Sequence, residues 1–309
     1  MMLKGRLGLE SARIPQCDRH GLLWVGRGKL YVEKGTLHFN TVGGGELPPG
    51  NYALPFQMLS AILLEPGTTV SHDALRLLSR HGTGLVVVGE GGVRLYASLP
   101  ASPDRSARAR RQARLWADEA ERIEVARRMY AWRLGEVFPA AELSVLRGME
   151  GSRMRRTYQL VAERFGIRWT RRKYDRDAPM DADLPNQALN HAATAMYALA
   201  TVAVAVTGAI PQLGFIHEES GMAFALDIAD LLRDAVTLPI AFQAVRDHRS
   251  RPNETLERSV RKAASAVFRK EKVIVTMIDR IKELLDVNDG GRDPERDGSD
   301  AGLPDLVHV

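Results

Sequence analysis

Two aspartates and a histidine in the last third of the chain have the types and spacing of a catalytic or metal-binding group. Asp227 and Asp230 lie three residues apart in a segment with a helical pattern, so they share one face of that helix. His217 ends an apolar run ten residues earlier. Because carboxylates beside apolar residues are costly without a compensating cation or proton, the three residues predict either a functional site or a polar cap at a helix end.

A fourth acid, Glu150, lies between Met149 and Gly151 and is followed by three arginines. Glutamate, histidine and aspartate from separate helices could converge into a shell for magnesium or manganese, because hard divalent cations take carboxylate ligands and manganese accepts an imidazole. Spacing alone leaves open the alternative that His217 is a structural residue and that the aspartates only interact with a helix dipole.

Composition sets limits on the class of protein. The chain has 309 residues, of which 45% are hydrophobic, and this length allows two domains with cores of their own. A single cysteine, Cys17, excludes an internal disulfide framework and a cysteine-based metal cluster, and it favours a reducing cytoplasm. The N-terminal residues show no signal-peptide pattern. The Ala-rich apolar run 193–210 predicts a buried helix and not a membrane span.

Positive charge is concentrated in arginine-rich segments. The whole chain carries +5 and residues 287–309 carry six acids against two arginines, or −4, so the preceding 286 residues carry +9. Such clusters suit a polyanion such as nucleic acid, although each by itself equally describes a solvated helix face. The clusters are 104–114, 153–156, 168–173 and 246–251.

The residue pattern changes near residue 100. Before it, short strand-like runs are punctuated by Gly, Pro and Asn, as in a small β-rich domain. One amphipathic helix, 71–82, interrupts them in the manner of a β-α-β insertion into a sandwich, with Ser71 as N-cap and Gly82 as C-terminal stop. The predicted strands are 21–26, 28–41, 59–67, 84–92 and 93–99.

Nearly everything after residue 100 has a helical pattern. We expect a β-rich domain over 1–99, a linker over 100–104, a helical domain over 105–286 and a disordered acidic tail over 287–309. Gly151 is either tolerated within its helix or kinks it, and a break is expected near Pro239. The glycine-rich stretches lack the strand-to-helix context of a phosphate-binding loop. The predicted helices are 105–137, 142–166, 184–208, 224–245 and 254–287.

Three segments together resemble one known family. They are LRGMEGSRMRRTY, GFIHEESGMAFALDIADLLRD and the stretch from LEPGTTVSHDALRLLSRHG to VRLYAS. They resemble, in order and from about residue 10 to 286, the CRISPR-associated adaptation integrase in a form close to that of subtype I-E systems. The resemblance implies an α+β fold with a small N-terminal β-rich, sandwich-like domain followed by a larger all-α catalytic domain.

The same resemblance implies roles for the acids and the histidine. Glu150, His217 and Asp230 match the family residues that bind a catalytic divalent metal, either magnesium or manganese. Asp227 matches a further residue that is needed for activity, and either orients a ligand or takes a proton. All four positions are intact.

The activity implied is that of a metal-dependent DNA endonuclease and integrase, which joins the 3′-hydroxyl of a captured duplex to a CRISPR repeat by direct transesterification. Branched or linear DNA would be cleaved at the same site. The implied partners are double-stranded DNA of the captured fragment and of the repeat and leader, a second copy of the chain bound through the β-rich domain, and the small second CRISPR-associated adaptation protein. Two alternatives remain: a structural DNA-binding subunit whose partner supplies the chemistry, and a stand-alone repair nuclease for branched DNA.

DNA-binding positions are also implied by the resemblance. Thr69 stands where close relatives often have arginine, which removes one expected phosphate contact. Tyr197 matches a tyrosine that can stack on a base near the branch point, and helix packing explains it equally well. The DNA-binding residues expected are Arg76, Arg94, Tyr197, Arg233, Arg258 and Arg261.

Overall fold

The structure is a computed structural model of the chain and describes residues 19, 21–43, 47–98, 106–139, 141–173, 182–251 and 253–285. Strands come first and long helices follow, so the predicted succession of a β-rich and a helical region is confirmed. Cys17, the predicted linker and the predicted acidic tail lie outside the described residues.

Strands in the described part of the chain form two sheets. Their bounds are β1 Gly21–Val25, β2 Gly28–Glu33, β3 Thr36–Thr41, β4 Gly50–Leu54, β5 Leu59–Leu64, β6 Thr68–Val70, β7 Gly84–Val88 and β8 Leu95–Ser98. The first sheet has the order β1–β5–β7–β8, in which β1, β5 and β7 are parallel and β8 is antiparallel to β7. The second has the order β4–β3–β2–β6, in which β6 pairs in parallel with β2.

The sequence did not predict β4 and β6. Strand β6 has only three residues, too few to show an alternating pattern, and β4 begins with Gly and Asn, which strands disfavour. Both are strands because they pair with β3 and β2, a tertiary contact that local pattern does not reveal.

Helix α1, His72–Arg80, lies in the crossover from β5 to the parallel strand β7. Ser71 Oγ accepts a hydrogen bond from the N–H of Ala74 at 3.2 Å, and Gly82 follows the helix with a φ of 63°. Both predicted ends are therefore confirmed, because the N-cap satisfies a free backbone donor and glycine adopts the left-handed conformation without strain.

Strand β5 is buried along its whole length and lies between two hydrophobic cores. Alternate side chains point to opposite faces of a strand. Ala61 and Leu63 therefore pack with the helical region, whereas Ile62 and Leu64 pack with the second sheet and α1. The first sheet is thus the middle layer, between the helices on one face and the second sheet with α1 on the other.

The helices of the second region are shorter than the sequence predicts. Their bounds are α2 Ala107–Ala117, α3 Glu119–Leu134, α4 Leu143–Arg164, α5 Leu184–Thr207, α6 Ala223–Asp230, α7 Leu238–Ser250, α8 Leu256–Lys270 and α9 Val273–Leu285. The single helix predicted over 105–137 is wrong, because Asp118 has an extended backbone and caps α3 by accepting the N–H of Glu121 at 3.0 Å. The single helix over 254–287 is also wrong, because Lys272 has a φ of 49° between α8 and α9.

Two smaller expectations concerned breaks within helices. Helix α4 continues through Gly151 without interruption. The break expected near Pro239 comes earlier, after Asp230, where a π-helical turn over Arg233–Thr237 connects α6 to α7. Pro239 itself lies in the first turn of α7, where a missing N–H costs no hydrogen bond.

Helix α5 crosses the middle of the helical region. It packs against α6, α7, α8 and α9. By length and composition alone it could cross a membrane, since its mean hydropathy reaches 1.4 over 18 residues, and 56% of that window is buried inside the fold. The prediction of a buried helix is confirmed by this packing.

Candidate active site

The segment between α5 and α6 carries His217, and its path depends on a close approach at Gly214. A Cβ at this position would collide with the carbonyl oxygen of His217 and would lie 2.7 Å from Cβ of Ala223. Because only glycine fits, the chain can fold back so that His217 faces the start of α6.

Two side chains of α2 hold the same segment through its backbone. Gln112 is fully buried, and its Nε2 donates to the carbonyl oxygens of Ile210 and Leu213, both at 2.9 Å. Its Oε1 accepts the N–H of Ile210 at 2.7 Å, and Trp116 Nε1 donates to the Gly214 carbonyl at 3.0 Å. Sequence reasoning missed both residues. The available signal was an uncharged amide within an arginine-rich helix.

Asp227 is buried and accepts four hydrogen bonds from the residues that lead to the histidine. Its Oδ2 accepts the N–H groups of Phe215 at 2.6 Å and Ile216 at 3.1 Å. Its Oδ1 accepts the N–H of His217 at 2.9 Å and lies 2.7 Å from the ring Nδ1 of His217. The alternative of a capped helix end is wrong, because α6 has no acid in its first turn and Asp227 lies in its middle.

His217 is thereby fixed in orientation. With the proton of the neutral ring on Nδ1, facing Asp227, the lone pair lies on Nε2, which is 4.0 Å from Asp230 Oδ2. The hydrogen bond with Asp227 raises the pKa of His217 above its ordinary value, while burial acts in the opposite direction. The side chain is 39% exposed, so Nε2 remains accessible from solvent.

Glu150 and Asp230 both face the guanidinium of Arg133, on α3. Arg133 Nη2 lies 2.6 Å from Glu150 Oε1, and its Nη1 lies 4.0 Å from Asp230 Oδ2. A second arginine, Arg233, contacts Asp230 Oδ1 at 3.2 Å. Helices α4 and α6 therefore bring the two carboxylates to the guanidinium that α3 supplies, and the segment before α6 places His217 beside Asp230.

Two titratable side chains beside these groups are poorly solvated. Burial raises the pKa of Asp234, which lies beyond Arg233, and three arginines partly offset this effect. Burial and the negative charge of Glu150 raise the pKa of Tyr130, which is 1% exposed. Charges interact more strongly in such surroundings than in water, so the positions of charged groups decide what the site can bind.

The predicted metal ligands fit a hard divalent cation by their chemistry. Within the described residues, no three His, Cys, Asp or Glu side chains are already close enough to hold a metal ion, and Glu150 and Asp230 instead face Arg133. Carboxylates from two helices and an imidazole with a free Nε2 nevertheless form an oxygen and nitrogen donor set. The bond from Asp227 to Nδ1 of His217 is the arrangement in which metal-binding histidines are usually held.

Three of the predicted DNA-binding arginines lie near one another. Arg94, which precedes β8, forms an ion pair with Glu257 in the first turn of α8, the helix that carries Arg258 and Arg261. Arg258 Nε lies 3.0 Å from Glu254 Oε1. The β-rich region and α8 therefore meet at this surface, where Arg94 is paired with Glu257 and Arg258 with Glu254.

The other predicted DNA-binding residues lie elsewhere. Arg76 is exposed on α1 and contacts Asp73 at 2.9 Å. Arg233 lies at the candidate site, beside Asp230. Burial lowers the pKa of Arg233, but Asp230 and then the tyrosines at 158 and 197 raise it, and the net effect is an increase. Tyr197 is half-buried on α5 and packs against the helical core, as expected for a residue with a packing role. It also lies near enough to Arg233 to affect the pKa of that arginine.

Parts of the basic clusters serve the fold itself. Arg153 donates to the carbonyl oxygen of Leu134 at the end of α3. Arg172 donates to Asn186 Oδ1 at 3.0 Å, which fixes the segment before α5. The guanidinium of Arg246 lies 5.6 Å from the centre of the ring of Phe165, the residue that follows α4. These arginines therefore have structural partners, as the solvated-face interpretation allowed for single clusters.

Comparison with known proteins matches the chain over most of its length. The family model described as CRISPR associated protein Cas1 matches residues 22–138 and 130–273. A protein of Methanospirillum hungatei named CRISPR-associated endonuclease Cas1 3 is 37% identical over 273 residues, which are 88% of each chain. A protein of Escherichia coli K12 named CRISPR-associated endonuclease Cas1 is 36% identical over 275 residues, which are 88% of this chain and 87% of that one.

The same likeness extends to the fold. A crystal structure of a TtCas1–DNA complex superposes with a TM-score of 0.78 at 34% identity, and the match covers 87% of this chain and 97% of that one. The superposition confirms the fold class expected from the sequence, in which a β-rich region precedes a helical one. The sequence match and the superposition together show that this chain belongs to the Cas1 family of CRISPR-associated proteins.

Proposed function

We propose that this protein is a metal-dependent DNA integrase and endonuclease of CRISPR adaptation. The observation that carries the proposal is that Glu150 and Asp230 face one guanidinium, while Nε2 of His217 lies 4.0 Å from Asp230 and Asp227 fixes the imidazole. The names of its relatives, which describe CRISPR-associated endonucleases, support a nuclease, and the TtCas1–DNA complex supports DNA as the substrate.

The proposed reaction exchanges one phosphodiester bond for another. The 3′-hydroxyl of a captured duplex loses its proton, and its oxygen forms a new bond to phosphorus in the repeat. The bond from that phosphorus to its original 3′-oxygen breaks, and that oxygen takes up a proton to become a 3′-hydroxyl. The number of phosphodiester bonds is unchanged, so no energy source is needed. With water in place of the 3′-hydroxyl, the same site would cleave branched or linear DNA.

Each residue of the site has a part in this proposal. Glu150, Asp230 and Nε2 of His217 would hold magnesium or manganese. A divalent cation there supplies a Lewis acid that polarises the scissile phosphate and neutralises charge on the leaving oxygen. Asp227 is a positioning residue, since its oxygens are occupied by the backbone and ring of the 215–217 segment. Arg233, half-buried beside Asp230, would attract the phosphate.

Binding of duplex DNA would be largely electrostatic. The net charge of +9 before residue 287 favours a polyanion. Arg94, Arg258 and Arg261 form one basic surface with their acidic partners, and Arg76 adds a second contact on α1. DNA phosphates would compete with Glu254 and Glu257 for these arginines, which makes the contact dependent on salt.

We further propose that the protein acts in an assembly in the cytoplasm. A second copy would bind through the β-rich region, and the small second adaptation protein would bind between two such dimers. The family membership supports this arrangement. It would place two active sites at the two ends of one captured fragment.

Strand joining by the purified protein tests the proposal. Labelled duplex with 3′-hydroxyl ends is incubated with supercoiled repeat DNA, with and without the second adaptation protein. We expect joining in Mn²⁺ or Mg²⁺, loss in EDTA and recovery when the metal is restored. Joining that persists after exhaustive chelation would contradict the metal site.

A variant of the site separates the remaining alternatives. His217→Ala should abolish joining and cleavage while duplex binding persists, and the matched variant His72→Ala, at an exposed position of α1, should keep all three. Joining that survives in His217→Ala would favour a structural subunit whose partner supplies the chemistry. Cleavage of branched DNA with no joining under any condition, with or without the partner, would favour a repair nuclease.

A further inference from the structure

The guanidinium of Arg133 is a nearly buried positive charge that lies beside two carboxylates. It lies in the last turn of α3, its side chain is 6% exposed, and it faces two buried or half-buried carboxylates. Nη2 lies 2.6 Å from Glu150 Oε1, in a geometry that is an ion pair without being a hydrogen bond. Nη1 lies 4.0 Å from Asp230 Oδ2.

We propose that Arg133 is a built-in counter-cation of the metal site. It stabilises Glu150 and Asp230 as a pair before a metal binds, and it lowers the affinity of the site for the divalent cation. This inference rests on the proposed function for the identity of the ligands, and it adds a residue that sets how tightly they hold the metal.

The first step concerns the cost of the carboxylates. Two ionised side chains in a poorly solvated pocket repel each other and lose hydration, so they need compensation by positive charge. Arg233 lies near Asp230 Oδ1 only, whereas Arg133 spans Glu150 and Asp230. Loss of Arg133 therefore leaves Glu150 without its ion-pair partner among the described residues.

The second step concerns competition. A guanidinium does not lose its proton at any ordinary pH, so its charge is permanent. A divalent cation at Glu150 and Asp230 must share both carboxylates with Arg133 and must bear repulsion from it. At a short distance in a partly buried site, one unit charge changes the affinity for a divalent cation by roughly tenfold or more.

The two effects are linked. A residue that stabilises the metal-free fold and repels the metal has opposite effects on the two quantities: it raises the stability of the metal-free protein and lowers the affinity for metal. Removal of the Arg133 charge should therefore weaken the fold in the absence of metal and strengthen it disproportionately when metal is added.

The experiment measures Mn²⁺ affinity by calorimetric titration and thermal unfolding in EDTA and in saturating Mn²⁺. The variants are Arg133→Met, which keeps length without charge, and Arg133→Lys, which keeps charge. The control is Arg128→Met, on the same helix, where the arginine is exposed and contacts Glu283 at 3.4 Å. Glu150→Gln in the wild-type background identifies the titrated site, since it should lose most of the Mn²⁺ binding.

We expect Arg133→Met to bind Mn²⁺ roughly tenfold more tightly than wild type, to unfold at a lower temperature in EDTA, and to gain more from Mn²⁺. Arg133→Lys and Arg128→Met should stay near wild type in affinity. Equal or weaker binding by a folded Arg133→Met would overturn the inference. If this variant is unfolded in EDTA, Mn²⁺ should refold it, and a chain that stays unfolded in saturating Mn²⁺ would also overturn the inference.

The two proposals fail in different ways. The proposed metal site is contradicted if the wild-type protein binds no Mn²⁺, or if the Glu150→Gln variant binds Mn²⁺ as tightly as wild type. A wild-type protein that binds Mn²⁺ through Glu150, together with an Arg133→Met variant of unchanged affinity, contradicts only the role of Arg133.

Discussion

Asp227 holds His217 at two points, since the same carboxylate oxygen is 2.9 Å from the backbone nitrogen of His217 and 2.7 Å from its ring Nδ1. The other oxygen accepts the N–H groups of Phe215 and Ile216. The two aspartates of α6 therefore differ in what they can do. Asp227 is occupied by the protein, whereas Asp230 lies between two arginines and the free edge of the imidazole.

Asp227→Asn should reduce both stability and metal affinity. The amide has one acceptor oxygen, so its NH₂ group would face N–H donors that now bind a carboxylate. Losing charge-assisted bonds in a buried position costs at least about 2 kcal/mol in the free energy of unfolding. A less firmly oriented histidine should weaken Mn²⁺ binding by about 10-fold to 100-fold. Chemical denaturation and Mn²⁺ titration measure the two effects, and unchanged values for both would refute the positioning role.

Asp230→Asn should separate activity from stability. The substitution keeps the size of the side chain and removes a charge that contacts Arg233 at 3.2 Å and Arg133 at 4.0 Å. We expect strand joining and cleavage to fall by at least about 100-fold, because the proposed metal site loses one of its three ligands. The unfolding midpoint and duplex affinity should stay close to wild type. A variant that loses its fold along with its activity would instead assign Asp230 a structural role.

Gln112→Leu should destabilise the protein although it lies outside the site. Leucine leaves the N–H and C=O of Ile210 and the C=O of Leu213 without their buried partner. The cost is about 2–4 kcal/mol in the free energy of unfolding. Gln243→Leu is the matched control. Among the described residues, Gln243 bonds to side chains of its own helix, and its loss should cost less than about 1 kcal/mol. Equal losses in the two variants would show that the segment before His217 does not depend on Gln112.

Replacing Arg94 and Arg261 together by alanine should change the salt dependence of duplex binding. Each phosphate contact contributes a slope of about −0.9 to log affinity against log salt, so the double variant should flatten the slope by roughly two and weaken all duplexes alike. Glu257→Gln should raise affinity, because it releases Arg94 from its ion pair. An unchanged slope would place the DNA elsewhere, with the cluster at 104–114 as the first candidate. A loss confined to one DNA sequence would indicate base readout.

The pKa of His191 predicts a loss of stability in mild acid. Burial lowers this pKa from its ordinary value of 6.5. Above that value the ring is neutral in both states and contributes nothing, whereas below it the unfolded chain takes up the proton more readily. The free energy of unfolding therefore falls as pH drops from 6.5 toward the lower folded pKa. Thermal unfolding measured between pH 7.5 and 5.5 should show a smaller loss of stability in His191→Gln than in wild type, and an equal loss in the two proteins would contradict this role of His191.

Several features of the fold follow from local pattern. The boundaries of α1 were predictable because Ser71 and Gly82 act within one turn of the chain. The burial of α5 was predictable from its apolar composition. By contrast, the chain break at Asp118 and the turn at Lys272 interrupt continuous helical patterns. Only packing decides where such a pattern breaks, since propensity differences between neighbouring residues are small.

The candidate site shows the same division. The sequence determined that Asp227 and Asp230 lie three residues apart in one helix. The resemblance of the surrounding motifs to a known family is what placed Glu150 and His217 in the same proposed site. Which aspartate binds the protein and which faces the pocket was decided only by the return of the chain at Gly214, which brings three backbone N–H groups to Asp227.

The sequence by itself determined the order of a β-rich and a helical region and the net positive charge, and through its resemblance to a family it indicated the acids and the histidine proposed to hold a metal. The tertiary structure alone decided that Arg133 faces Glu150 and Asp230, and that Gln112 holds the segment before His217. The physical reason is distance along the chain. Periodicity and capping act over a few residues within one element. These contacts join different helices, or a helix and a loop, and they exist because the packed core fixes those elements relative to one another.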